Sequence, residues 1–423
     1  RSGSRVGLFR PETPCRSPSM SLLSQQVKAF RLQHGIPEGQ TPKRKPAPSI
    51  LFKPREASQH DSDAFASLAR NGVAGVSGLD PDLAAFSTLF EGAQRDRELL
   101  STEENAHLDS EIRRMLILLS PHMQTRAAQE CLEGLLQRYQ VHRWNVDDVL
   151  ASTLPYHDSP LFSRLLQGLH VEGKPRWSWL QTLKQNRATL VRAALAKYCA
   201  KDLSVLSFIG EVVQETLRLH KVNRALTTFF VSVWLATLAS VTTVNNTLVD
   251  AALPAVMAML RKPHLRDSFH AGLAVAGALC VKAELSPEVR TYLMERAMRL
   301  GSAGEPQKPA VALLALMLQA QVVDDIPQKV LGALAQLGPS GFASVLPPGM
   351  DCGNLLGGVV EACLLRAAAL PAEDPQGAQL EAFCGGLLAN PALVDRYAPA
   401  LCAAALQAFA KARARGAGDA AAC

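Results

Sequence analysis

Aromatic residues make up only 5% of the 423 residues, and Leu, Ala and Val dominate a 48% hydrophobic content. That balance favours helices over a β-sandwich, and it is too apolar for a disordered chain. The nine cysteines form no C-x-x-C pair, and Cys131, Cys199, Cys280, Cys363 and Cys402 sit inside apolar helical runs. An odd number so placed argues for reduced, buried thiols in an intracellular protein, against a disulfide framework or a zinc site. No H-E-x-x-H, P-loop, G-x-S-x-G or dinucleotide fingerprint occurs. No catalytic residue, cofactor or metal ligand is therefore assigned.

A membrane span is missing as well. Residues 225–249 carry no charge, but Thr227, Thr228, Ser232, Thr237, Ser240, Thr242, Thr243, Asn245, Asn246 and Thr247 would be costly in hydrocarbon, and no aromatic belt flanks them. The run reads as a buried helix. Residues 1–19 are basic, hold three prolines and lack an apolar core for secretion.

Charge is unevenly placed. Residues 1–60 carry eleven Lys/Arg against three Asp/Glu, a surplus of eight in a chain of net charge +6. The remainder is therefore slightly acidic and lacks the broad basic footprint of a protein whose main task is holding phosphate backbones. Any RNA contact is expected to be local. From Gly35 to Pro54 five prolines surround Lys43-Arg44-Lys45, which reads as an exposed tether and, in its basic tripeptide, as a candidate for nuclear import receptors.

Helical periodicity begins at Asp63 and is plainest at Gln129–Leu169. Leu132, Leu135, Leu136 and Tyr139 share one face of a helix, with Glu133, Gln137 and Arg138 on the other. Asn145 stands as N-cap of a second helix whose first turn holds Asp147 and Asp148, and Pro155 demands a break at Thr153–Leu154. A third helix follows with Leu161, Leu165, Leu166 and Leu169 on one face. Upstream, Asp63–Ala74 is a first helix, and Asp80-Pro81 is the start of a second segment. Gly72, Gly75 and Gly78 read as the loop between them. None of these short helices is stable alone, so each needs stacked neighbours. Further on, Leu253-Pro254, Val256, Met257 and Leu260, a polar turn at 261–264, then Leu265-Arg266-Asp267 leading into Ala271, Leu273, Ala274, Ala278 and Leu279 reproduce the HEAT pattern. Helices at 287–300, 309–319, 327–337, 355–370, 378–388 and 391–412 continue it at an interval compatible with ~40–47 residues per repeat. The expected fold is all-α: a solenoid of HEAT-type helical repeats behind a flexible N-terminal extension.

Specific residues give this solenoid a family likeness. Cys131-Leu132-Glu133, Leu135-Leu136, Arg138-Tyr139, Val141-His142, Leu154-Pro155-Tyr156-His157-Asp158 and Phe162 resemble the N-terminal region of the HEAT repeat-containing protein 1 family. Its fungal members are called U3 small nucleolar RNA-associated protein 10. The likeness runs on through Arg176-Trp177-Ser178-Trp179-Leu180, Tyr198-Cys199, Lys201-Asp202-Leu203 and Phe208-Ile209. Upstream it takes in Ser49-Ile50-Leu51-Phe52, Pro54, Glu56-Ala57 and Leu79-Asp80-Pro81. Order and spacing over residues 20–300 carry it; past Pro371 it weakens. Met20-Ser21-Leu22 with Gln25-Gln26 matches the start of family members, so residues 1–19 are expected to be a non-native or disordered leader. Residues 20–60 then form the basic extension, 61–250 the family's N-terminal helical region, 251–412 the HEAT-type repeats and 413–423 the tail of a truncated chain.

The resemblance implies a non-enzymatic scaffold subunit of the nucleolar small-subunit processome, supporting pre-rRNA processing towards 18S rRNA and RNA polymerase I transcription. Implied partners are other processome subunits, β-propeller proteins among them, the U3 small nucleolar ribonucleoprotein and pre-rRNA, with no membrane. The implied location is the nucleus and nucleolus. A transport or vesicle-coat HEAT adaptor is the alternative, and an enzyme using His157 a third class. Tyr156 and His157 are candidates for partner or RNA contact, though His157 without clustered partners reads better as closing a turn by hydrogen bonds. Arg176 and Trp177 could stack on bases or anchor a partner, or Trp177 could plug the gap between helix pairs; Trp179 reads as a plug. His264 and His270 have the wrong spacing for two ligands on one helical face. Glu103, Glu104, Asp109 and Glu111 read as a solvated face.

Overall fold

The chain divides into two units, residues 1–48 and 49–423. The computed structural model describes residues 49–422 except 54–55, 57–61, 92–95, 300–306 and 372–373. The 1–19 leader and Lys43-Arg44-Lys45 lie outside the described residues. All regular structure among the described residues is helical.

The first part runs α1 (Ser62–Ser77), a 3-10 stretch Pro81–Phe90, α2 (Thr102–Leu119), α3 (Arg126–Tyr139), α4 (Val141–Trp144), α5 (Val146–Thr153), α6 (Pro160–Gly168), α7 (Leu180–Gln185) and α8 (Arg192–Lys201). Local chemistry sets these bounds. Asp80 accepts a bond from the Asp82 N–H at 3.1 Å with Pro81 in the first helical position. Ser101 and Glu104 form a reciprocal capping box at 3.1 and 2.9 Å, so the acidic start of α2 also serves its N-terminus. Pro155 ends α5 at Thr153, and Leu154–Tyr156 tightens into a 3-10 turn.

From there the chain alternates between two layers: α9 (Ser204–Arg218), α10 (Arg224–Ser240), α11 (Asn246–Leu260), α12 (Arg266–Lys282), α13 (Pro287–Ala297), α14 (Gln307–Ala320), α15 (Gln328–Val345), α16 (Gly353–Ala369), α17 (Pro375–Leu388) and α18 (Pro391–Ala422). α8, α10, α12, α14, α16 and α18 lie side by side in one layer, and α9, α11, α13, α15 and α17 in the other. The uncharged run became α10 and the start of α11, with Phe230, Val233 and Trp234 fully buried. Among the described residues no helix is long and apolar enough to cross a membrane. α11 passes through Pro254. Gly338 at φ 71° interrupts α15 just after Leu337, and Tyr397 interrupts α18.

Two expectations change in the first part. Gly72 and Gly75 lie inside α1, not in a loop. A Cβ on Gly72 would stand 2.8 Å from the Ala127 carbonyl oxygen and 2.9 Å from Glu130 Cβ, so the missing side chain lets α1 and α3 touch backbone to backbone. Replacing Gly72 by Ala should therefore destabilise by about 1–3 kcal/mol, overriding the ~1 kcal/mol that helix propensity alone would give. Gly332 is helical too, but open space surrounds its Cβ position. Gly332→Ala should stabilise by up to about 1 kcal/mol, and urea midpoints of the two variants should shift in opposite directions.

The second change concerns Glu133, placed by periodicity on the polar face of α3 but only 1% exposed. Its carboxylate accepts the Leu51 N–H at 3.0 Å and the Gln137 amide at 2.8 Å. Within the stretch read as a tether, Leu51 and Phe52 are buried. Phe52 stacks on Phe65 and lies under the Arg126 guanidinium. A segment 82 residues away in sequence thus covers the second face of α3.

Candidate partner-binding region

The Tyr156–Trp177 neighbourhood is built as joints between layers. Tyr156 donates its hydroxyl to the Ser120 carbonyl at 2.7 Å, while Ser120 donates its own to the Ser152 carbonyl at 3.0 Å. Asn223 donates to the Ser120 hydroxyl at 3.0 Å and accepts the Leu226 N–H at 3.0 Å as the cap of α10. One chain of bonds therefore ties the end of α2, the end of α5 and the start of α10. His157 Nδ1 meets the Leu154 carbonyl at 3.2 Å, and its ring leans on Phe229 of α10. Burial holds the imidazole below its ordinary pKa, so it is a neutral turn-closing group near pH 7.

Trp177 is 0% exposed. Its edge meets Phe208 of α9 at 5.1 Å and 86°, and its indole N–H donates to Asp147. Arg176, half-buried, holds its guanidinium 5.1 Å from the same Phe208 ring. Trp179 stacks on Tyr198 at 4.6 Å and donates to the Arg176 carbonyl at 3.0 Å. The structure brings Arg176 and Trp177 together on Phe208; Tyr156 and His157 belong to a different joint, on Ser120 and Phe229.

A polar cluster beside them is invisible in helical periodicity. Arg97 is 4% exposed. Its guanidinium donates to Asn105 at 3.2 Å, to Asn145 at 2.6 Å and to Asp109, and it lies over the Trp144 ring. Asn145 makes no side-chain cap bond, contrary to expectation. Arg97 occupies its carbonyl, and its amide donates to Asp109 at 2.8 Å and Asp148 at 3.4 Å. Arg113 then pairs with Asp148 at 3.8 Å and with Glu215 of α9.

Burial pushes the Asp148 carboxyl up to about 6, against the opposing pull of Asn145 and Arg113. The folded state thus holds the Asp148 proton more tightly than the unfolded chain, whose carboxyl titrates near pH 4. Stability contributed by the protonated group is complete below about pH 4 and is lost as pH rises through about 6. Asp148→Asn should therefore gain on the parent as pH rises across that window, by up to about 3 kcal/mol in urea titrations, and a pH-independent difference would exclude this.

Among the described residues no group of three or more His, Cys, Asp or Glu is placed to hold a metal ion. Cys131, Cys199, Cys280, Cys352, Cys363 and Cys384 are buried free thiols; burial pushes Cys131, Cys199, Cys280 and Cys363 up to about 12. Cys402, expected with them, is exposed on α18.

Similarity to known proteins agrees with this architecture. An uncharacterized protein of Arabidopsis thaliana is 33% identical over 296 residues, 67% of this chain and 13% of that protein. HEAT repeat-containing protein 1 of Homo sapiens is 27% identical over 322 residues, 73% of this chain and 15% of its own length. U3 small nucleolar RNA-associated protein 10 of Schizosaccharomyces pombe is 27% identical over 249 residues, 57% and 15% respectively. The chain belongs to the HEAT repeat-containing protein 1/U3 small nucleolar RNA-associated protein 10 family. No family model matches it. The chain spans about 13–15% of the length of these curated relatives. Membership in the HEAT repeat-containing protein 1 family fits the two-layer helical array, in which buried residues of the quoted motifs, Tyr156, His157 and Trp177 among them, hold one helix pair to the next.

Proposed function

We propose that the chain is a non-enzymatic scaffold acting in ribosome biogenesis, as part of the nucleolar small-subunit processome that carries pre-rRNA towards 18S rRNA and supports RNA polymerase I transcription. The observation that carries this reading is the similarity to relatives named for HEAT repeats and for association with the U3 small nucleolar RNA. A stacked helical array supports it physically, because it offers an extended surface that holds several partners at fixed separations. The partners are other processome subunits, β-propeller proteins among them, together with the U3 ribonucleoprotein and pre-rRNA, in the nucleus and nucleolus. Of the candidate residues, Arg176 contributes a surface contact and Trp177 holds its surroundings in shape, while Tyr156 and His157 hold the separate joint at Ser120 and Phe229. Lys43, Arg44 and Lys45 serve nuclear import.

Affinity purification of the tagged chain from nuclear extract, with and without ribonuclease, tests this. Processome subunits recovered in both conditions would support protein docking, and subunits lost with ribonuclease would point to tethering through RNA. Recovery of neither, or exclusion of the tagged chain from nuclei, would overturn the assignment in favour of a transport-type adaptor.

A further inference from the structure

The alternation of layers puts successive turns on opposite edges of the array. The turns from α9 to α10 (219–223) and from α11 to α12 (261–265) share one edge; those from α10 to α11 (241–245), α12 to α13 (283–286) and α14 to α15 (321–327) share the other. The first edge is strongly basic. Arg218, His220, Arg224, Arg261, His264 and Arg266 are all exposed there. Lys262 binds the two turns into one surface: its ammonium donates to the Leu217 carbonyl and lies 3.4 Å from His220 Nδ1.

Carboxylates only partly offset this charge. Asp80 and Asp82 are engaged by Lys221, and Asp267 by Arg224 at 2.9 Å. Among the described residues no carboxylate pairs with Arg218 or Arg261, and the Arg261 Nε donates to the Tyr292 hydroxyl at 3.0 Å. The opposite edge is different in kind: residues 241–245 are uncharged, Lys282 stands beside Glu284, and Asp325 is paired with Arg366 at 2.7 Å next to Asp324, so no surplus of cations gathers in these turns. Clustered cations repel one another, and a polyanion relieves that repulsion while releasing its own counterions. α12 also begins at this edge without a side-chain cap, so first-turn N–H groups add to the attraction for anions.

We propose that the edge formed by residues 218–224 and 261–266 binds the phosphate backbone of RNA. The choice of RNA among nucleic acids rests on the ribosomal reading above; attraction to a phosphate chain rests on the edge itself. Arg and Lys contacts of this kind carry no base readout. Binding is sequence-tolerant and falls steeply with salt.

The test uses the whole 423-residue chain and a fluorescein-labelled single-stranded RNA of mixed sequence, about 16 nucleotides long, titrated by anisotropy at several salt concentrations. Arg218→Glu with Arg261→Glu should weaken binding at least ~10-fold and flatten the log–log salt slope by about 1–2. Lys201→Glu with Lys282→Glu, exposed cations at helix ends on the other edge, should leave affinity within about twofold, since only general charge is lost. The neutral pair Arg218→Gln with Arg261→Gln gives the same reading if charge reversal disturbs folding, and thermal midpoints check that each variant is folded. Equal losses from both edges, an unchanged affinity in the arginine variants, or no RNA binding by the parent chain would overturn the proposal. Subunit recovery from ribonuclease-treated extract is a separate readout, so failure of RNA binding and failure of the scaffold role are distinguishable.

Discussion

Trp177→Ala is expected to destabilise the protein by about 3–5 kcal/mol, the range for deleting a large aromatic from a closed core. The ring is 0% exposed, so no surface is available into which the cavity could open. Its loss removes an edge-to-face contact with Phe208 and strips Asp147 of the indole donor. Trp177→Phe separates these parts: most apolar volume stays, and the penalty falls to about 1–3 kcal/mol, the cost of a bond to a charged acceptor. Trp179→Ala should cost less than Trp177→Ala, because its ring is only half-buried and stacks on the similarly placed Tyr198. Urea midpoints with near-ultraviolet circular dichroism measure all three. A Trp177→Ala chain that melted with the parent yet lost partner or RNA binding would show that the indole acts as a contact and not as a plug.

That experiment bears on what a linear sequence can express. Periodicity and proline placed the helices well: Pro155 stops α5 at Thr153, and α13 to α18 begin within three residues of the starts expected from the apolar stripe. Each of those signals is local. Gly72 and Gly75 carry the same letter as a loop glycine, and only Ala127 across the helix interface, its carbonyl oxygen facing Gly72 and its Cβ facing Gly75, explains them. Glu133 obeys the rule for a polar face, but residues 51 and 52 return from far away to cover that face and supply the N–H that a carboxylate there accepts. Asn145 satisfied the cap rule in position, not in chemistry, because Arg97 took the oxygen that a first-turn N–H would otherwise use. The basic edge was hidden for a different reason. Net charge summed along the chain mixes turns that the two-layer topology sends to opposite sides.

Arg97→Met should cost about 2–3 kcal/mol, chiefly because it leaves the buried Asn145 oxygen without a donor. Replacing both members of a buried pair by apolar groups can be neutral, but removing one leaves the others without compensation. Here the buried remainder is Asn145, 4% exposed, which loses its donor, while Asp109, its side chain 46% exposed, keeps the Asn145 amide and access to water. Arg97→Lys should recover little of this. One ammonium on a flexible stem cannot reproduce a planar fork that reaches Asn105, Asn145 and Asp109 at once and lies over Trp144. Neutralising the acceptor tests the cause directly. In an Asp109→Asn background the further cost of Arg97→Met should shrink by about 0.5–1 kcal/mol, because the carboxylate partner is already gone and water had screened part of that pair. Additive penalties in that cycle, or an Arg97→Lys chain as stable as the parent, would mean that Arg97 stabilises through its buried stem rather than through its bonds, and that the joint between α2 and α5 is apolar in its energetics.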